Sequence, residues 1–158
     1  MSFEEEKPKK YLNLEAGIEK IKRYCAYQER CHSQVRTKCI QLGIYGMQLE
    51  ETISAMIQED YLNEERFAIA FARGKQRIKY WGRIKISLEL QKLQISPYCI
   101  HEAIDQLDED DYMKGLKHII LKAKKMGKKT EFEQVKYAYS YGYEPEIIKQ
   151  MLKKSEST

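Results

Sequence analysis

Ile84-Lys85-Ile86-Ser87-Leu88-Glu89-Leu90 alternates apolar and polar side chains without a break, and its reading decides whether the chain is built of sheets or of helices. Strict alternation puts every second side chain on one face of a β-strand. The same residues also form helical rows, because Ile84 lies one turn from Leu88, and Ile86 one turn from Leu90, with Leu93 continuing the row. A strand needs a partner, and no other segment offers a convincing one, so the stretch is read as helix. Tyr137-Ala138-Tyr139-Ser140-Tyr141 partly repeats the choice and is resolved the same way.

Moving outward, the helix that contains Ile84 runs into Leu93-Gln94-Ile95, followed by Ile100 and Ile104. The same order occurs twice more: Leu42-Gly43-Ile44 with Leu49 and Ile53, and Tyr141-Gly142-Tyr143 with Ile148 and Leu152. Each copy takes a five-residue step and then a four-residue step from its turn. That is a helix end, a tight turn and a new helix with apolar residues one turn apart. Gly43 and Gly142 occupy the place where helix C-termini favour a left-handed residue, and Gln94 should be less comfortable there. The stretch before the first turn carries Val35, Cys39 and Leu42 at helical spacing, matching the row around Ile86.

Start signals agree. Ser96-Pro97 pairs an N-cap with proline at the first helical position, Pro145 repeats the proline, and Thr130-Glu131-Phe132-Glu133 fits a capping box. Asn63 caps a further stripe of Phe67, Ala70, Phe71, Gly74 and Ile78. The expected helices are 14–28, 33–43, 47–59, 63–80, 83–94, 97–107, 110–126, 131–142 and 145–153. The expectation is an all-α chain: an N-terminal tail over 1–13, three-helix repeats over 14–60, 61–108 and 109–154, and a C-terminal tail over 155–158. A three-helix unit this short buries little surface alone, so the repeats should stack into an elongated, curved array with an extended concave face.

Composition supports helices: 8 Gly and 3 Pro in 158 residues are too few for a turn-dense β fold. No apolar run approaches the roughly 20 residues that span a bilayer, and Met1-Ser2-Phe3-Glu4-Glu5-Glu6-Lys7 lacks the order of a secretory signal. A cytoplasmic protein without membrane contact is expected. Cys25, Cys31, Cys39 and Cys99 form no C-x-x-C pair and are read as reduced thiols. With His32, His101 and His118 they lack the short paired spacing of a closed zinc site, so no metal is expected.

Lys plus Arg number 28 and Asp plus Glu 24, a net charge of +4 that is too small to establish a polyanionic partner. The distribution is more telling. Arg66, Arg73, Lys75, Arg77, Lys79, Arg83, Lys85 and Lys92 form a cationic stretch broken only by Glu89, with acidic residues on both flanks and a second basic run from Lys114 to Lys129. Such blocks are commonly solvated faces that pair with one another. Tyr80-Trp81-Gly82 interrupts the middle block, however, and puts aromatic rings and a hinge between cationic helices, the parts that phosphate contact and base stacking require. Trp81 could equally anchor a core. Nothing resembles a phosphate-cradling glycine loop or a calcium loop, and Cys31-His32 are only sequence neighbours, so neither catalysis nor a cofactor is expected.

Taken together, His32 to Lys38, Tyr61-Leu62-Asn63-Glu64-Glu65-Arg66-Phe67-Ala68, Gly82-Arg83-Ile84-Lys85, Leu88 to Leu90, Lys92 and Ile95 resemble the RecX family, bacterial regulators of the RecA recombinase. The resemblance runs from about Leu14 to Leu152. It departs at Val35 and Arg36, where the family usually has an acidic residue and a leucine, and at Gln94, where it usually has glycine. The resemblance implies three-helix repeats that bind in the groove of the RecA filament on single-stranded DNA, restrain its growth and lower its ATPase, strand-exchange and coprotease activities. On that reading a monomer contacts several recombinase subunits at once, and the candidate contacts to filament or DNA are Arg73, Arg77, Lys79, Arg83 and Lys85, supported by Tyr80 and Trp81. The second reading is a helical-repeat module that binds single- or double-stranded DNA directly through the same block.

Overall fold

A computed structural model describes residues 13–156, so the expected tail, apart from Asn13, and the last two residues lie outside the described residues. Among the described residues there are nine α-helices and no strand: α1 (Leu14–Tyr27), α2 (His32–Gln41), α3 (Gly46–Gln58), α4 (Glu64–Gly74), α5 (Arg83–Lys92), α6 (Pro97–Asp105), α7 (Glu109–Lys125), α8 (Glu131–Ser140) and α9 (Pro145–Glu156). They come in three sets of three. The alternating stretch Ile84 to Leu90 lies wholly inside α5, with Ile86 and Leu90 buried while Leu88 on the same alternating face is exposed. The helical rows therefore decide its conformation. Helix α9 extends to Glu156, past the expected end at Lys153.

The chain forms two compact units that divide between Phe67 and Ala68, inside α4. In the first, α1 to α3 enclose Ile21, Cys25, Val35, Cys39, Ile44, Leu49, Ile53 and Met56. Asn13 starts α1 by accepting the Ala16 amide at 2.7 Å, as an N-cap should. In the second unit, α7 to α9 enclose Tyr112, Leu116, Ile119, Ala138, Tyr143, Ile148 and Leu152, and α5 and α6 bury Ile86, Leu90, Ile95, Ile100 and Ala103.

The three repeated turns are one structure. Residues Gly43, Gln94 and Gly142 have φ of 82°, 63° and 98°. The amide after each donates five residues back, Ile44 to Cys39 at 2.9 Å, Ile95 to Leu90 at 3.1 Å and Tyr143 to Ala138 at 3.4 Å. This is the Schellman ending, in which a left-handed residue lets the chain satisfy its last carbonyls and tuck the following apolar side chain inward. Gln94 takes the left-handed conformation despite its Cβ. Start signals hold too: Ser96 accepts the Cys99 amide at 3.3 Å, Thr130 and Glu133 form the capping box, and Asn63 accepts the Arg66 amide at 2.8 Å.

One helix departs from expectation. After Gly74 the chain makes a π-helical turn, Lys75–Lys79, ending on Tyr80 with φ of 58°. The wider turn adds a residue and rotates the buried face. The expected stripe is corrected accordingly: Ala70 is exposed and Ile78 is 75% exposed, while Phe67, Ala68, Ala72 and Gln76 are buried. Gln76 turns inward because its amide donates to the Asp111 carbonyl at 2.8 Å, which satisfies an otherwise costly buried polar group.

Candidate functional site

The helices α2, α5 and α8 begin at equivalent places, on Cys31, Gly82 and Thr130. Gly82 has no side chain with which to cap, and the orphan amides of α5 are satisfied from elsewhere in the second unit. Gly82 donates to the Tyr141 carbonyl at 2.7 Å, Ile84 donates to the Gly142 carbonyl at 2.9 Å, and Arg83 donates its backbone amide to the Tyr112 hydroxyl at 3.1 Å. A Cβ on Gly82 would lie 2.4 Å from the Gly142 carbonyl, and one on Gly142 would lie 2.4 Å from the Lys85 Cβ. The start of α5 is thus docked, backbone against backbone, on the turn between α8 and α9.

Arg83 fastens this joint. Its guanidinium bonds Glu144 at 2.8 Å and Glu109 at 2.7 Å, lies 3.8 Å from the centroid of the Tyr112 ring, and its side chain is 23% exposed. The Tyr112 hydroxyl donates to the other Glu144 oxygen. Burial first, and then that carboxylate, push the Tyr112 phenol well above the ordinary tyrosine range. Tyr80 belongs to the same joint: its carbonyl accepts the Tyr143 hydroxyl at 2.8 Å and its ring stacks on His118 at 4.0 Å.

The remaining candidates separate by helix face. Arg73 and Arg77, one turn apart, line a concavity of about 450 Å³ with Asp108, Glu109 and Asp111, and Arg77 approaches Asp111 at 4.0 Å. Their field is offset by the acidic start of α7. Lys79 is exposed. Trp81 and Lys85 point into a different setting, a band in which cations and rings alternate. The Lys75 ammonium lies 5.4 Å from the Phe71 ring and 5.1 Å from the Trp81 ring. The Lys85 ammonium lies 4.6 Å from Trp81 and 5.9 Å from Tyr141, and Lys122 lies 5.6 Å from Tyr141. Trp81 meets Phe71 edge-on at 6.5 Å. It is a half-buried bridge between lysines rather than a core anchor.

The far end of the band holds a phenol pair. Tyr137 donates to the Tyr141 oxygen at 3.4 Å, and Lys122 donates to it at 3.2 Å. The Tyr137 bond, followed by Lys122, holds the Tyr141 phenol below the ordinary tyrosine range. The sequence reading missed Lys122, Tyr137 and Tyr141 as site residues. The tyrosines are four apart, Tyr137 in α8 and Tyr141 at its C-cap, a signal that could have found them, whereas Lys122 joins from another helix and leaves no trace in local spacing. Chemically the band offers three ammonium groups at ring faces, suited to anionic groups and planar rings. No helix of the described residues is long and apolar enough to cross a membrane.

Comparison with known proteins bears on what carries this band. The family model described as RecX, second three-helix domain, matches residues 63–104, which include Phe71, Lys75, Trp81 and Lys85. A regulatory protein RecX of Thermotoga petrophila is 26% identical over 129 residues, covering 81% of this chain and 77% of its own. One from a Geobacillus species is 23% identical over 134 residues, with 82% of this chain and 49% of the relative covered. The crystal structure of RecX from Lactobacillus salivarius shares the fold with a TM-score of 0.79 at 19% identity, covering 92% of this chain and 97% of the other. A second crystal structure, of a regulatory protein RecX, gives 0.76 at 16% identity, over 87% of this chain and 71% of the other. Residues 63–104 thus match the second three-helix domain of RecX, and the chain is similar in sequence along most of its length, and in fold, to regulatory proteins RecX.

Proposed function

We propose that this chain is a non-catalytic modulator of the RecA filament on single-stranded DNA in the cytoplasm, and that it chiefly inhibits the filament's recombinase, ATPase and coprotease activities. The observation that supports this reading is the lysine and aromatic band on the second unit. It is a preassembled, cation-bearing surface whose rings are fixed by packing, suited to an acidic and repetitive target. Three-helix repeats over 14–60, 61–108 and 109–154 would each contribute a weak contact, and contacts made in parallel to successive filament subunits multiply in effect.

On this reading the candidates Arg73, Arg77, Lys79, Tyr80, Trp81, Arg83 and Lys85 have different duties. Lys85 and Trp81 touch the target, joined by Lys75 and Lys122. Lys79, Arg73 and Arg77 contribute at the edge, the last two weakened by their acidic neighbours. Arg83 and Tyr80 hold the joint that positions the band. The second reading, a direct DNA-binding module, draws on the same alternation of cation and ring, which also suits bare single strands.

The two readings part in one titration at physiological salt. The chain is added to RecA on single-stranded DNA while ATP hydrolysis is followed, and to the same DNA without RecA while binding is followed. The filament reading expects hydrolysis to fall at concentrations where free DNA is scarcely bound. Equal occupancy of free DNA at those concentrations favours the second reading, and unchanged hydrolysis removes the first.

A further inference from the structure

A second cationic surface lies on the first unit, and it differs from the band in composition. On α1, Lys20, Arg23, Tyr24 and Tyr27 share one face at helical spacing, while Ile21 and Cys25 point into the core. Arg30, from the loop that follows, and Lys38, from α2, close this face into an open concavity of about 390 Å³. Among the described residues its lining includes no carboxylate.

Among the described residues, three other cations of this unit are neutralised. Lys22 pairs with Glu59 at 3.4 Å, Arg36 pairs with Glu50, and Arg66 pairs with Glu29 and Asp60. Arg23, Arg30 and Lys38 form no ion pair among the described residues. Arg30 is nevertheless held in place: its guanidinium lies 3.7 Å from the centre of the Tyr24 ring, and its Nε donates to the Tyr24 carbonyl at 3.0 Å. The Lys38 ammonium lies 5.4 Å from the same ring. Tyr27 stands beside them with 84% of its surface exposed. Arg23, Arg30 and Lys38, gathered in a concavity whose described lining holds no carboxylate, around one covered ring and one open ring, provide phosphate contacts next to a stacking platform.

We infer that this concavity binds a single nucleic-acid strand, with phosphates on Arg23, Arg30 and Lys38 and an unpaired base on Tyr27. The few contacts place it in the weak range of about 10⁻⁶–10⁻⁴ M that phosphate-led binding gives. It is separate from the band on the second unit and does not depend on the reading of that band.

The test uses the full chain, a labelled oligothymidylate and an abasic strand of equal length at low salt. Both strands are also titrated in the background Lys75→Ala/Lys85→Ala/Lys122→Ala, which removes the band's three cations. Arg23→Glu/Lys38→Glu should weaken binding of both strands at least tenfold and lower the log–log salt slope by about 1.4, two single-strand phosphate contacts' worth. Tyr27→Ala should weaken oligothymidylate about fivefold or more and leave the abasic strand unchanged. Melting of each variant is followed by circular dichroism. If the double charge reversal fails to fold, Arg23→Gln/Lys38→Gln decides the same question with a smaller effect in the same direction. The inference is overturned if the parent chain binds neither strand, if the charge variants bind as the parent does, or if Tyr27→Ala affects both strands alike. Competition by polyglutamate or duplex as effective as by the single strand overturns it too. Filament ATPase plays no part in this assay, so failure here and failure of the filament reading are separate results.

Discussion

Gly82→Ala is the smallest change that should break the second unit's joint. The residue has φ of −85°, which alanine adopts freely, so backbone conformation does not confuse the result. The new methyl would lie 2.4 Å from the Gly142 carbonyl carbon and oxygen and 2.5 Å from the Tyr143 amide. These are backbone atoms, so the turn between α8 and α9 has to retreat as a whole. Retreat breaks the Gly82–Tyr141 and Ile84–Gly142 hydrogen bonds, at about 1 kcal/mol each, and overpacking adds about 1–3 kcal/mol. The expected loss is about 3–5 kcal/mol, a large share of the roughly 5–15 kcal/mol that holds a domain folded. Gly74→Ala is the matched control: it is helical, nothing lies within 4 Å of its Cβ position, and it should gain about 0.5–1 kcal/mol. Urea unfolding followed through Trp81, the sole tryptophan, reports on this unit alone. A Gly82→Ala midpoint indistinguishable from the parent's would refute the docking argument.

Other consequences are as specific. Arg83→Ala should destabilise the second unit by about 2–3 kcal/mol, because Glu144 and Glu109 lose a charged partner, and Arg83→Lys should recover little, since one ammonium cannot bond both carboxylates and cover the Tyr112 ring; chemical unfolding of the three proteins measures this. Gln94→Gly should raise the stability of the second unit by about 0.5–1 kcal/mol by relieving the left-handed φ of 63°, read from the same unfolding curves. In the first unit, burial first and then the neighbouring Cys25 push the Cys39 thiol up to about 11. Because the folded value lies above the unfolded one, this contribution to stability is complete below about pH 8.5 and is lost as the pH rises through 11. Cys39 in the native chain should therefore resist a disulfide reagent at pH 8 and react only on unfolding, and rapid labelling without denaturant would contradict its burial.

The turns were legible because their signals are local. A left-handed residue, an inward apolar residue after it and a cap or proline beyond need no knowledge of distant contacts, and even Gln94 kept its place. The helical rows through Ile86 and Leu90 likewise overrode the alternation. The π turn was not legible, since Gln76 is drawn inward by the Asp111 carbonyl, 35 residues away, and Ile78 is turned out as a result. The cationic block was legible as charge but not as geometry. Residues 73 and 77 lie on one face and 75 on another, so a single run of sequence serves an acid-bounded concavity and a lysine and aromatic band. Arg83 looks like its neighbours in sequence, yet Glu109 and Glu144 claim it, and only the approach of α5 to the turn before α9 brings them together.

The claim that the band on the second unit carries the filament contact is tested most directly by comparing the parent chain with Lys85→Ala/Lys122→Ala in RecA-catalysed, single-strand-dependent ATP hydrolysis. Both side chains are cationic partners of rings rather than members of the joint, so the variant should melt as the parent does, and losing about 0.5–1 kcal/mol at each position should raise the concentration for half-inhibition about tenfold. Equal inhibition by a correctly folded variant, or no inhibition by the parent chain, would contradict the account.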